Sequence, residues 1–319
     1  MALLEVSGLS VRFPVRGSGW FGRRRWLTAV DDVSFTIDAG EILGLVGESG
    51  CGKSTLGRAL VKLEKPAAGK IVLAGRDLAS LRGGELRRAR KDFQMIFQDP
   101  YASLNPRLSI RSTLEEVLRI HFPRENAKQR GERAAALLKR VGLDPAALDR
   151  YPHQFSGGQR QRIGIARALA AEPRFIVADE PVSALDVSVQ AAIVNLIGDI
   201  RRESGTAFLF IAHDLAVVEH ISCRIMVMYL GRAVEIAPAR ETTGDPRHPY
   251  TEALLSAAPT LRPDGRRRIV LPGDVPSPLA PPEGCAFHPR CPRAGEECRK
   301  CRPALREVAP GHFVACHKA

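Results

Sequence analysis

Short runs of consecutive apolar residues recur along the chain and alternate with longer stretches in which apolar positions return every third or fourth residue. The run Glu41-Ile42-Leu43-Gly44-Leu45-Val46 closes on a glycine loop, and a helical pattern follows over 53–63, so the spacing predicts strand, loop, helix. Phe175-Ile176-Val177-Ala178 and Phe208-Leu209-Phe210-Ile211-Ala212 read as further buried strands, with a helical pattern over 187–203 between them. Strands alternating with helices imply a parallel sheet wrapped by helices, an α/β core.

Between about 100 and 154 the pattern changes. Residues 112–120 and 125–141 read as amphipathic helices with no strand between them, which predicts a helical subdomain, about 100–160, inserted into the sheet domain. From about Gly244 prolines accumulate, from Pro246 and Pro249 to Pro281 and Pro282, and this reads as a linker into a small cysteine-rich segment. The expected division is 1–243 for the sheet domain and 244–319 for the extension. No internal repeat is present, so each chain carries one such sheet unit.

Composition narrows the classes. A chain of 319 residues with 45% hydrophobic and 26% charged content can bury a full core. No apolar run approaches the roughly 18 residues that span a bilayer. The start, Met1-Ala2-Leu3-Leu4-Glu5-Val6, lacks the basic-then-apolar layout of a signal peptide. A soluble, cytoplasmic chain is the expectation. The formal net charge of +12, with arginine clusters at 23–25, 87–90 and 266–268, suits nucleic acid, an anionic membrane surface or a merely solvated face, and does not choose among them. Of the seven cysteines, Cys51 and Cys223 stand apart, while Cys285, Cys291, Cys298, Cys301 and Cys316 crowd the last stretch; in a cytosolic protein such crowding points to a metal centre before disulfides.

Three motifs carry chemistry. Gly47-Glu48-Ser49-Gly50-Cys51-Gly52-Lys53-Ser54-Thr55 fits the P-loop pattern, in which backbone N–H groups cradle phosphate oxygens, Lys53 reaches the β and γ phosphates and the Ser54 hydroxyl ligates magnesium. The helix that starts there adds its positive end. Phe175 to Glu180 is a buried strand ending in two carboxylates: Asp179 is placed to hold the magnesium shell and Glu180 to polarise the attacking water. In Phe155-Ser156-Gly157-Gly158-Gln159-Arg160-Gln161-Arg162, ahead of a helical stretch over 163–171, Ser156 can cap a helix while Gly157 and Gly158 expose backbone N–H groups. One nucleotide needs one P-loop, so this second cradle is expected to serve the nucleotide of another subunit.

At this point the sequence resembles the ABC ATPase family, whose signature the stretch from Phe155 matches in all but its first residue, where phenylalanine replaces the usual leucine. The fold implied is a P-loop NTPase of ABC type with a mixed sheet core. The resemblance implies that Gln98 senses the γ phosphate and the metal and links to the membrane partner, that Asp186, in Ser183-Ala184-Leu185-Asp186, lies in the loop that crosses the dimer interface, and that His213 contacts the γ phosphate. Catalytic roles accordingly fall to Glu180, His213, Lys53 and Gln98. ATP is expected against Phe13, Gly47, Ser49, Gly50, Cys51, Gly52, Lys53, Ser54, Thr55, Gln98, Ser156, Gly157, Gly158, Gln159, Asp179 and Asp186, with magnesium on Ser54, Gln98 and Asp179. Phe13 sits where the family stacks an aromatic on adenine, with Trp20 and Trp26, in what looks like an insertion over 17–26, as alternatives.

His248-Pro249-Tyr250-Thr251 and the stretch from Gly284 to Pro292 resemble the C-terminal extension of oligopeptide and dipeptide importer ATPases. The resemblance implies an ATP-hydrolysing subunit that powers peptide uptake from the cytoplasmic face of the inner membrane. Its implied partners are a second and often different ATPase chain, two transmembrane permease subunits and, indirectly, an extracytoplasmic solute-binding protein. Nickel and glutathione importers are similar, and a soluble ABC ATPase acting on nucleic acid is the remaining alternative; no second ATPase unit or long coiled coil supports it, and no nucleic acid is expected as a partner. For the cysteines, spacing alone is ambiguous: zinc sites usually contain close pairs, of which only Cys298 and Cys301 form one, and the run is not the compact ferredoxin one. The resemblance implies a [4Fe–4S] cluster on Cys285, Cys291, Cys298 and Cys316, with Zn2+ as the runner-up and Cys301 as an alternative to Cys298.

Overall fold

A computed structural model describes residues 2–15, 25–183, 185–257 and 269–319. Trp20, Ala184, Ala258, Pro259, Pro263, the first two arginines of the 23–25 cluster and the whole 266–268 cluster lie outside the described residues. The chain divides into two compact units, one formed by Asp38–Glu41 with Ser80–Leu209 and the other by Ala2–Ile37, Ile42–Ala79 and Phe210–Ala319.

The first unit is helical around a short parallel pairing. Strand Phe93–Ile96 runs parallel to strand Phe175–Asp179, with Phe93 opposite Phe175 and Ile96 opposite Ala178. Between these two strands lie three α-helices and no further strand among the described residues: Ile110–His121, Ala127–Arg140 and Gly157–Leu169. Each starts at a side-chain cap. Ser109 Oγ accepts from the Ser112 N–H at 3.2 Å, so the first helix begins before the 112 expected from periodicity. Asn126 and Gln129 close a reciprocal capping box with bonds of 3.0 and 2.9 Å, which moves the second start from 125 to Ala127. Helix Val187–Ser204 follows the expected pattern and stops at Gly205, which turns left-handed at φ 65°.

The second unit holds two sheets. One contains Arg25–Asp38, Ala2–Val15, Ala68–Leu73 and Arg76–Asp77 in that spatial order, with Ala68–Leu73 antiparallel to both Ala2–Val15 and Arg76–Asp77. In the other, the buried strand Ile42–Val46 runs parallel to Arg224–Tyr229, which runs antiparallel to Arg232–Pro238. Parallel and antiparallel neighbours together make the sheet mixed, as an α/β fold of the expected class requires.

The proline-rich tail contributes regular structure of its own. After helix Pro249–Ala257, a hairpin of Arg306–Ala309 and His312–Val314 adds to strand Arg232–Pro238, with Glu235 opposite Val314. Glu235 is fully buried, and a buried carboxylate must be hydrogen-bonded. His312 Nε2 meets it at 2.7 Å, and the N–H groups of Arg247 and His248 donate to it at 2.8 and 3.0 Å. Tail and strand are therefore joined through one carboxylate. Among the described residues, no helix is long and apolar enough to cross a membrane.

Candidate functional site

The expected site residues fall in both units, and each set is formed locally. In the second unit, strand Ile42–Val46 is buried at every position and delivers the chain into the glycine loop. Gly47 is required there: a Cβ on it would lie 2.2 Å from the Met228 carbonyl oxygen, a clash with backbone that cannot move aside. Helix Lys53–Leu60 begins at Gly52, shorter than the 53–63 expected because Lys62 turns left-handed at φ 57°. Lys53 is 5% exposed, and its ammonium donates to the carbonyls of Gly47 at 2.7 Å and Glu48 at 3.0 Å. The cation is thus folded over the loop whose N–H groups would meet phosphate, a concentration of positive charge suited to an anion.

Cys51 is buried and its Sγ lies 3.9 Å from Lys53 Nζ. Burial pushes its thiol up, against the opposing effect of Lys53, so it stays a protonated filler of the loop and not a reactive thiolate. His213 is exposed beyond strand Ala207–Ile211, and its neighbour Asp214 caps helix Leu215–Ile221 by accepting from Ala216 N–H at 2.9 Å. Phe13 is half-buried on strand Ala2–Val15, while Trp26 is exposed.

In the first unit, strand Phe175–Asp179 is wholly buried and ends at Asp179, which is 2% exposed. Glu180 then takes a left-handed backbone at φ 45°, a conformation that costs a non-glycine residue about 1–3 kcal/mol. Its carboxylate Oε2 accepts a hydrogen bond from Gln98 Nε2 at 2.8 Å. Two residues 82 positions apart, singled out separately, are in direct contact.

The glycine pair after Phe155 opens helix Gly157–Leu169, six residues earlier than periodicity indicates. Ser156 Oγ accepts from Gln159 N–H at 3.3 Å and Gln159 Oε1 accepts from Ser156 N–H at 3.0 Å, a capping box that leaves the Gly157 and Gly158 N–H groups at the open helix end. Asp186 is committed locally as well. It caps helix Val187–Ser204, and the Ser188 hydroxyl, followed by the Val189 N–H, holds its carboxyl below the usual carboxylate range.

In the tail, the Cys285 N–H donates to the Cys298 carbonyl at 2.8 Å. Burial, then the nearby charges of Cys298, Cys316 and Cys291, pushes the Cys285 thiol up. Cys298 is buried and Cys301 exposed. Among the described residues, however, no group of three or more His, Cys, Asp or Glu side chains is arranged to hold a metal ion, which departs from the four-cysteine centre implied by the resemblance.

Sequence reasoning missed two residues that touch the loop. Tyr250 Oη accepts the Glu48 N–H at 2.8 Å, and Arg290 Nη1 and Nη2 donate to Glu48 Oε2 and Oε1 at 2.8 and 3.2 Å. The His248-Pro249-Tyr250 motif was the available signal. His248 is fully buried, which pushes its pKa down to about 3, and the neutral ring's Nδ1 accepts the Tyr250 N–H at 3.1 Å.

A family model described as "ABC transporter" matches residues 30–183, and one described as "Oligopeptide/dipeptide transporter, C-terminal region" matches residues 234–298. The oligopeptide transport ATP-binding protein AppF of Bacillus subtilis is 52% identical over 320 residues, covering 99% of this chain and 97% of its own. A probable peptide ABC transporter ATP-binding protein of Sinorhizobium fredii, y4tS, is 53% identical over 99% of this chain and 90% of its own. Among solved structures, the dimeric post-hydrolysis state of the ATP-binding cassette MJ0796 bound to ADP and Pi superposes with a TM-score of 0.66 at 28% identity, over 74% of this chain and 99% of that one. The cbiO1 protein of Clostridium perfringens, part of the ABC transporter complex cbiONQ, gives 0.64 at 25% identity over 76% and 91%.

Proposed function

This chain belongs to the ABC transporter family, as an ATP-hydrolysing subunit with an oligopeptide/dipeptide-type C-terminal region, and on that premise we propose that it powers the uptake of peptides. The observation that carries the reading is the buried Lys53, folded over a glycine loop at the start of a helix. In this reading Lys53 exchanges its carbonyl partners for β- and γ-phosphate oxygens. Ser54, Asp179 and Gln98 would hold magnesium, which would supply charge neutralisation to the phosphates. Glu180 accepts a proton from the attacking water once Gln98 releases its carboxylate. His213 contacts the γ phosphate, and Phe13 stacks on adenine.

The open helix end at Ser156 to Gln159 faces the nucleotide of a second ATP-binding subunit, so closure of the pair couples ATP to two transmembrane permease subunits. The second subunit is a different chain, the assembly works on the cytoplasmic face of the inner membrane, and an extracytoplasmic binding protein delivers the peptide. The test is reconstitution with the membrane subunits in vesicles. ATP-dependent uptake of a labelled oligopeptide is expected, and uptake of nickel or glutathione in its place overturns the peptide assignment.

The match to the oligopeptide/dipeptide C-terminal region supports a second element of the reading, a [4Fe–4S] cluster on Cys285, Cys291, Cys298 and Cys316 that would anchor the tail. Burial of Cys298 and exposure of Cys301 favour Cys298 as the third ligand. Thiolate is the right donor for such a cluster, and a metal that joins distant loop positions removes chain entropy. Anaerobic purification is expected to yield about four iron and four sulfide per chain, with visible absorption. Zinc at about one per chain without sulfide sinks the assignment.

A further inference from the structure

Glu48 stands second in the phosphate loop, and its partners come from 202 and 242 residues downstream. Its backbone N–H donates to Tyr250 Oη at 2.8 Å, and its carboxylate is held bidentately by Arg290. Neither partner is a surface group: Tyr250 is fully buried and Arg290 is 8% exposed. Arg290 closes the short turn His288–Arg290 by donating its own N–H to the Phe287 carbonyl at 3.0 Å. The Phe287 ring packs edge-on against Tyr229, with centroids 5.3 Å apart, and lies 5.4 Å from Tyr250. The guanidinium and the phenol are thus both mounted on one packed aromatic cluster.

Two physical consequences meet at the loop. A carboxylate inside a cradle that receives a triphosphate repels the ligand unless it is neutralised, and Arg290 engages both of its oxygens. The second consequence is geometric. The peptide unit between Gly47 and Glu48 is planar, and its N–H is the one held by Tyr250, while its carbonyl is the Gly47 oxygen that accepts Lys53 Nζ at 2.7 Å. Fixing one edge of the plane fixes the other, so a tail hydroxyl orients the carbonyl that holds the phosphate-binding lysine.

We propose that Arg290 and Tyr250 are positioning residues for ATP: acting through Glu48, they hold the phosphate loop ready to bind, so the C-terminal region sets the nucleotide affinity of the catalytic unit. This rests on the ATP-binding reading of the loop. It extends that reading to residues that touch no nucleotide. A loop that must be reorganised before it binds loses affinity in proportion to the scarcity of its competent state, while turnover at saturating ATP is spared.

The test titrates the purified full chain with a fluorescent ATP analogue and separates KM from kcat in the ATPase assay. Arg290→Ala is expected to weaken affinity about tenfold or more, because it leaves an unpaired carboxylate in the cradle, with kcat within about threefold of wild type. Adding Glu48→Gln to that variant is expected to restore most of the loss, a rescue that a merely structural role of Arg290 would not give. Arg290→Lys is expected to fall between, and Tyr250→Phe to weaken affinity about threefold; these two milder variants carry the test if Arg290→Ala does not fold. Affinities of Arg290→Lys and Tyr250→Phe within experimental error of wild type, or no rescue by Glu48→Gln, overturn the proposal. If the wild-type chain itself binds no ATP, the reading of the loop fails instead.

Discussion

Glu180→Gln is expected to bind ATP as the wild type does and to lose about 100- to 10,000-fold in steady-state turnover, the usual cost of removing a general base. The substitution changes little besides basicity. An amide oxygen can still accept the hydrogen bond that Glu180 Oε2 takes from Gln98 Nε2 at 2.8 Å, so the left-handed turn at φ 45° keeps its support. What the amide cannot do is accept a proton from water. The glycine loop is untouched, because Lys53 finds its resting partners in Gly47 and Glu48 and not in Glu180. The measurement is phosphate release at saturating ATP, paired with nucleotide titration of the same preparation. Turnover within a few-fold of wild type would show that Glu180 is not the base; lost affinity would show that it supports the binding site.

The resting contact between Gln98 and Glu180 bears on the same step. Glu180 was legible from the sequence at the end of a predicted strand, and Gln98 through the resemblance to the ABC ATPase family. Their hydrogen bond was not, because a contact across 82 residues depends on how strand Phe175–Asp179 pairs with Phe93–Ile96, and periodicity carries no register. Local chemistry was legible where it is local. Gly47, Gly52 and Lys53 sit within one turn, and the geometry they need follows from residue type alone.

Helix starts show the same division from the other side. Periodicity showed the helix after Ser156 only from 163, and it was Ser156, read as a cap, that marked the start where the chain enters it, at Gly157. Gln159 carried a second signal, since a serine followed three residues later by glutamine is a capping box, and the same pattern in Asn126 and Gln129 set the start of Ala127–Arg140. The proline-rich tail was read as a linker because proline density disfavours regular elements. Its helix Pro249–Ala257 begins on a proline, which the first turn of a helix accepts, and its hairpin gains order from the buried Glu235, whose partners His312, Arg247 and His248 are scattered along the chain. The two long strands Ala2–Val15 and Arg25–Asp38 escaped notice for a different reason: they are half-buried strands of alternating character, and the search for apolar runs passes over such patterns.

The last expectation tests whether this chain completes a nucleotide site for another. Gly158→Asp is expected to leave ATP affinity of the isolated chain within about twofold while cutting hydrolysis at the partner's nucleotide by about 100- to 1,000-fold, the range for losing one preorganised donor to a developing anion, because the added carboxylate blocks the approach of phosphate to the helix-end N–H groups. The glycine is dictated by space before any question of function arises. A Cβ at Gly158 would lie 2.5 Å from Val189 Cγ1, so the helix end and helix Val187–Ser204 approach too closely for a side chain. Aspartate adds negative charge at the positive end of helix Gly157–Leu169, where a phosphate would otherwise be drawn. Local strain alone could also slow the enzyme, so Ser156→Ala serves beside it: it removes the cap acceptor of the Gln159 N–H and fills no space. Both variants leave Lys53 and the loop carbonyls that hold it unchanged. The decisive measurement pairs a Gly158→Asp chain with a partner subunit whose own phosphate-loop lysine has been replaced by alanine. If the helix end acts in trans, that assembly keeps one intact site, built from this chain's loop and the partner's signature, and retains part of its turnover. Placing Gly158→Asp and Lys53→Ala both in this chain instead damages both sites and abolishes hydrolysis. The reverse order, with turnover kept only when both changes are in this chain, or a loss of ATP affinity in the isolated Gly158→Asp chain, would mean that Ser156 to Gln159 serve the chain's own nucleotide.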